Sequence, residues 1–212
     1  MKPKIIFTIF LLSVAIHLLQ GQTARDLFLK LPEAVFLPLS TSDRMDLIGL
    51  YNKVGEKATV KNRFEDSCSI IRLTDNYIKI QTGKNTMELF LLPMINDSKI
   101  IGLLQTVCAP VCDSYLEFYT TAWKKLATPL FISLAGKNDF LKDGIHPEEE
   151  RIKNALIPLD ISLMQLHYDP ENMELRQYYR TPDYLSETDR STVMPYLEVT
   201  PKRFKWNLTR FE

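Results

Sequence analysis

The chain has 212 residues, of which 26 are Lys or Arg and 26 are Asp or Glu, so its formal net charge is zero. That balance excludes a basic nucleic-acid binder and an acidic disordered tail. Seven Gly and 12 Pro are too few for low-complexity sequence, and three Cys are too few for a disulfide-dense scaffold.

The N-terminus reads as an export signal over residues 1–21. Lys2 and Lys4 form a short positive region, and Ile5 to Leu19 is apolar apart from Thr8, Ser13 and His17. Gln20, Gly21, Gln22 and Thr23 then supply the small and polar residues of a cleavage site. The apolar run falls short of the roughly 20 residues that span a bilayer, so cleavage after Gly21 is expected rather than anchoring. No later stretch is long and apolar enough to cross a membrane. The expectation is an exported protein, periplasmic or secreted, whose mature chain is a single domain over 22–212. Losing Lys2 and Lys4 takes the 26 basic residues to 24 against 26 acidic ones, a net charge of −2.

Thr23 with Asp26 resembles a capping pair, and Leu27, Phe28 and Leu31 share a helical face. A second helix is expected from Thr41 or Ser42, with Met45, Ile48 and Tyr51 at helical spacing. From Ala58 to Leu126 the period becomes that of strands. Ser69–Leu73 and Tyr77–Gln81 read as a hairpin around Thr74-Asp75-Asn76, and Gly83-Lys84-Asn85 is the next turn. Met87–Leu92 and Ile100–Val107 are apolar on both sides of the pleat and suit central strands. Tyr115–Thr121 and Ala122–Leu126 continue the series. Short turns between successive strands imply an antiparallel meander, because parallel neighbours need long crossovers.

Residues 128–158 are the least regular, with a short helix from Pro147 to Leu156, and 130–150 is the only candidate sub-boundary. Ile161–Tyr168 and Met173–Arg180 read as another hairpin, Ser186–Tyr196 as a short helix and Phe204–Phe211 as a last strand. In that strand Lys202, Arg203, Lys205 and Arg210 alternate with Phe204, Trp206 and Leu208 and form a solvated face. The fold class is therefore α+β: a multi-stranded antiparallel meander with N-terminal helices and short later helices packed on it.

Cys108-Ala-Pro-Val-Cys112 is a candidate disulfide that would clip a turn, given Cα atoms within about 7 Å. Its C-x-x-x-C spacing, without a βαβ pattern around it, differs from the C-x-x-C of redox motifs. Cys68, beside Ile70 and Ile71, reads as a small buried hydrophobe.

The rest of the chemistry is sparse. The mature chain has two histidines, His146 and His167, on different elements and without an H-E-x-x-H pattern. His146, near Asp139, Asp143 and Glu148, reads as a solvated loop, and His167 as a residue of a sheet rim. There is no G-x-S-x-G, and Gly83-Lys84 and Gly136-Lys137 lack the rest of a phosphate loop. No metal, cofactor or nucleic acid is expected. Glu88 and Glu117 lie within apolar strands, and burial of either would mark a site; the plainer expectation is the polar face of a sheet edge. Aromatic residues gather in the C-terminal third: Tyr178, Tyr179, Tyr184, Tyr196, Phe204, Trp206 and Phe211. Tyr178, between Arg176 and Arg180 on one strand face, is the best candidate for an exposed anchor.

The chain also resembles a known family. The resemblance rests on the export signal, Thr23 to Phe28, Asp43 to Ile48, Leu73 to Tyr77, Glu88 to Pro93, Glu117-Phe118-Tyr119 with Trp123, and Pro195-Tyr196-Leu197 with Trp206. Together these are similar to an exported Bacteroidales family, domain-of-unknown-function family 3256, across nearly the whole mature chain. The resemblance implies an envelope or secreted protein and brings no activity and no functional residues. The reading is a non-catalytic binding or accessory module for a protein or glycan partner of the cell envelope, with candidate contacts Tyr178, Arg176 and Arg180. The alternative is a small exported hydrolase using acidic residues such as Glu88 and Glu117.

Overall fold

Thr23 and Ser40 fix where the two N-terminal helices begin. The Thr23 hydroxyl accepts from the Asp26 backbone, and the Asp26 carboxylate accepts in return from the Thr23 N–H, which starts helix α1 (Ala24–Leu29). Ser40 and Asp43 repeat the exchange at helix α2 (Thr41–Val54). Both are seen in a computed structural model that describes residues 22–212. The expected export segment, 1–21, lies outside the described residues.

Helix α1 buries Ala24, Leu27 and Phe28. Of the apolar stripe on helix α2, Ile48 is buried and Tyr51 packs against the core, but Met45 is turned outward. Met45 is 58% exposed, and the buried residues are Arg44, Leu47 and Ile48. Arg44 belongs inside because its guanidinium donates to the Leu39 carbonyl at 2.8 Å and the Leu31 carbonyl at 2.5 Å. Those bonds satisfy backbone that the α1–α2 connection leaves without a ladder.

Seven strands follow: β1 (Thr59–Lys61), β2 (Ser67–Thr74), β3 (Tyr77–Thr82), β4 (Asn85–Pro93), β5 (Lys99–Cys108), β6 (Cys112–Thr120) and β7 (Lys125–Leu126). Each pairs antiparallel with the next, so sheet order equals chain order. The β3–β4 turn is two residues, with Gly83 at φ +57°, a conformation that a residue with a Cβ adopts only with strain. As the sequence pattern implies, β4 and β5 are covered on both faces. Met87, Leu89, Leu91, Ile101 and Leu103 face the helices, and Phe90, Leu92, Ile100 and Leu104 face the other way. The strand expected over 122–126 shrinks to Lys125–Leu126. Residues 121–123 are used in a reversal in which the Trp123 N–H donates to the Thr120 carbonyl.

The meander does not include the C-terminal strands. β8 (Met164–Asp169), β9 (Glu174–Tyr179) and β10 (Lys202–Lys205) form a separate antiparallel sheet in the order β10-β9-β8. Helix α3 (Glu150–Ala155) precedes it, and α4 (Thr181–Tyr184) and α5 (Glu187–Val193) lie between β9 and β10. The strand expected over 204–211 is cut short at Lys205. Asn207 accepts from the Thr209 and Arg210 backbones and folds the chain back, so that Trp206 pairs with Phe211.

The molecule thus has three layers: helices α1 and α2, the large sheet and the small sheet. The last two are joined by aromatic stacking. The Tyr168 ring lies on Phe90 at 3.8 Å between centroids, and Phe118, Phe131, Trp206 and Phe211 extend the cluster. The free edge of β8 is closed by side chains of β6. The Met164 N–H donates to Asp113 at 2.8 Å and the Leu166 N–H donates to Ser114 at 2.9 Å.

Candidate functional site

Residues paired across a ladder share a face, and neighbours along a strand take opposite faces. Glu88 pairs with Leu104, which pairs with Leu116, whereas Glu117 pairs with Leu103, which pairs with Leu89. The two carboxylates therefore lie on opposite faces of the large sheet and cannot flank one scissile bond.

Neither sits on a solvated sheet edge, contrary to the sequence expectation. Glu88 is 2% exposed and Glu117 is 7% exposed. They are tolerated inside because donors surround them. Glu88 accepts from the Tyr77 hydroxyl at 2.6 Å and from Lys79 at 2.9 Å. Burial, and then the adjacent Glu88 carboxylate, push the Tyr77 phenol far above its ordinary value and keep it a donor. Glu117 accepts from Tyr119 at 2.7 Å, from Tyr115 at 3.1 Å and from Lys125. Burial raises its pKa, but the bonds from Lys125, Tyr119 and Tyr115 together outweigh burial and hold the carboxyl below its ordinary value. A carboxylate with every oxygen occupied is poorly placed to exchange protons with a substrate.

The sequence contains a signal for both clusters. Tyr115, Glu117 and Tyr119 alternate along one strand and so share a face. Counting back from the turn at Gly83-Lys84 places Lys79 opposite Glu88.

Tyr178, Arg176 and Arg180 are brought together on the outer side of the small sheet. Leu166, Tyr168 and Leu175 take the inner side, facing the large sheet. Arg180 lies over the Tyr178 ring, its guanidinium carbon 5.1 Å from the centroid, and donates to Gln165 at 2.8 Å. His167 meets the same ring edge-on at 5.4 Å. Desolvation lowers the His167 pKa, and Lys79, Arg180 and Arg176 lower it further against the opposing pull of Glu88. Arg176 is held by Glu174 at 2.5 Å and Asp169 at 3.3 Å, and Arg203 reaches Glu174 at 3.5 Å. Beside this face, Tyr178, Arg180, Asp183 and Arg190 line a cleft of about 180 Å³. Both arginines there bond Asp183.

The remaining sequence candidates lie elsewhere. His146 is 3.5 Å from Glu148 in an exposed pair, and Asp139 accepts from the Gly136 N–H instead of joining them. Among the described residues no group of three or more His, Cys, Asp or Glu could hold a metal ion. Cys108 and Cys112 are bonded across the β5–β6 ladder with Cα atoms 3.9 Å apart, and Cys68 is free and buried. Among the described residues no helix is long and apolar enough to cross a membrane.

The family model described as "Protein of unknown function (DUF3256)" matches residues 16–211. The chain belongs to the DUF3256 family. This DUF3256 member is also similar to a solved structure, a domain of an uncharacterized protein from Porphyromonas gingivalis W83. The two share 26% identity, with a TM-score of 0.77, covering 88% of this chain and 96% of that one. No curated protein matches the sequence.

Proposed function

We propose that this protein is an exported, non-catalytic binding module that engages a protein partner of the cell envelope through the outer face of its small sheet. The observation that carries the reading is the Tyr178 ring, half-buried where the sequence leads one to expect an exposed anchor, in contact with Arg180 and His167 on the outer face of the small sheet. Tyr and Arg are the residues from which interface anchors are most often built.

A protein partner is favoured over a glycan by the charges around the ring. Arg176, Arg203, Glu174 and Asp169 form a flat, mixed-sign network that complements a surface carrying both signs. A glycan platform presents a bare aromatic face, whereas a guanidinium already lies over Tyr178. The opposed placement and full satisfaction of Glu88 and Glu117 support a non-catalytic role. Export rests on the N-terminal pattern of Lys2, Lys4 and the apolar run to Leu19.

Crosslinking from native envelope extract, read by mass spectrometry, tests the reading. A reproducible partner is expected with the mature protein and with Tyr115→Ala, an exposed tyrosine on the other sheet. The same partner should be lost with Tyr178→Ala. Capture that survives Tyr178→Ala and Arg180→Ala alike overturns the assignment of this face.

A further inference from the structure

The end of the large sheet and the β8–β9 turn leave a cleft of about 340 Å³ between them. That is the lower end of the roughly 300–1,000 Å³ typical of small-molecule sites. The cleft has an apolar side and a charged rim. Tyr77, Tyr168 and Met173 line the first, and Arg72, Lys99 and Glu171 lie on the second.

The rim charges do not balance. Glu171 is the one carboxylate against two cations, and it contacts Arg72 through a single nitrogen, Nη2. Lys99 donates to the neutral Asn76 side chain at 2.9 Å. The Arg72 side chain is 44% exposed and that of Glu171 is 71% exposed, so their pairing adds little and opens easily. A guanidinium offers a fork of donors that a carboxylate fills with both oxygens, which Glu171 does not do here. The aromatic wall is fixed in place. The Tyr77 hydroxyl is tied to Glu88, and the Tyr168 ring is stacked on Phe90.

We propose that this cleft binds an amphipathic carboxylate: its carboxylate displaces Glu171 from Arg72 on the rim shared with Lys99, and its apolar body lies along Tyr77, Tyr168 and Met173. In the unliganded protein Glu171 is the internal stand-in for the ligand's head group. The site is independent of the Tyr178 face, because Tyr168 and Tyr178 lie on opposite sides of the small sheet.

The test titrates the mature protein with octanoate and with 3-phenylpropionate by calorimetry, with octanamide and octylamine as controls. Saturable binding of a carboxylate is expected, about ten-fold or more tighter than the matching amide, since only the charged head group makes charge-assisted bonds. Arg72→Gln should weaken that binding about ten-fold, and Lys99→Gln should weaken it in the same sense. Glu171→Gln should strengthen it, because the internal competitor is gone. Both Arg72 and Glu171 are solvent-exposed, and opposite signs at the two positions cannot arise from a general loss of folding. The proposal is overturned by no saturable carboxylate binding, by equal binding of acid and amide, or by Arg72→Gln and Glu171→Gln shifting affinity in one direction. Tyr178→Ala should leave every titration unchanged, so this result and that of the partner capture stand or fall separately.

Discussion

Among the described residues three charged side chains are buried, and each is stabilised differently. Arg44, 1% exposed, has no carboxylate on its guanidinium and relies on the Leu31 and Leu39 carbonyls. Glu88 shares a hydroxyl and an ammonium, and Glu117 has two hydroxyls and an ammonium. Glu117 has a pH signature. Its folded-state pKa lies below the ordinary 4.5. The stability it contributes is therefore fully present above that value and is lost as the pH falls through the lower folded-state value. Glu117→Gln removes the negative charge and turns one acceptor oxygen into an NH2 donor facing donors, and should cost about 1.5–3 kcal/mol at neutral pH. Urea denaturation from pH 7 down to pH 3 should show the gap between wild type and variant closing as acid is added. A gap that is constant with pH would mean the carboxylate charge contributes nothing. The sequence shows the Tyr-x-Glu-x-Tyr alternation but not that the Glu is buried, because an alternating polar face is the ordinary mark of solvent. What decides burial is the cover supplied from outside the strand, including Trp123 after the reversal.

At the level of elements, the parts defined by local chemistry are the ones visible in the sequence. Helix α1 starts after the Thr23–Asp26 pair and α2 at the expected Thr41, and strand order follows from the short turns at Asp75-Asn76 and Gly83-Lys84. The buried face of α2 is only partly visible, because Met45 fits a helical stripe with Ile48 and Tyr51 as well as Leu47 does with Ile48. The choice is made by distant carbonyls that Arg44 must reach. Gly102, in the middle of β5, is a local sign with a distant cause. A Cβ built there would lie 2.1 Å from Cε2 of Phe90, its partner on β4, whose ring covers the glycine. Gly102→Ala must therefore push Phe90 off its seat, and with it the stack on Tyr168. The expected cost is about 1–3 kcal/mol, the usual range for overpacking. In a chain of this size that lowers the melting midpoint by roughly 2–4 °C per kcal/mol. An unchanged midpoint in a thermal melt followed by circular dichroism would show that the ring has room to move.

For the whole molecule, the sequence hides the separation into two sheets. The hairpin of β8 and β9 reads like one more step of the meander, yet residues 127–163 intervene and carry the chain across to the second face of the large sheet. What holds the layers together is non-local. Tyr168 stacks on Phe90, the Trp206 indole donates to the Pro93 carbonyl at 2.7 Å, and the edge of β8 is closed by Asp113 and Ser114. A three-stranded sheet is at the lower limit of independent stability, and its apolar face needs such cover. The large sheet, by contrast, still has α1 and α2 on its other face. Loss of the interlock should consequently be felt unequally. Tyr168→Ala removes a buried ring whose truncation costs about 3–5 kcal/mol for comparable aromatics. Hydrogen exchange should then show amides of β8, β9 and β10 losing protection first, while those of β3, β4 and β5 fall only to the new global limit. If all ten strands lose protection together, the two sheets unfold as one unit and the small sheet has no opening of its own. If only the small sheet loosens, it is the part of the molecule free to adjust when Glu171, at its β8–β9 turn, is drawn away from Arg72.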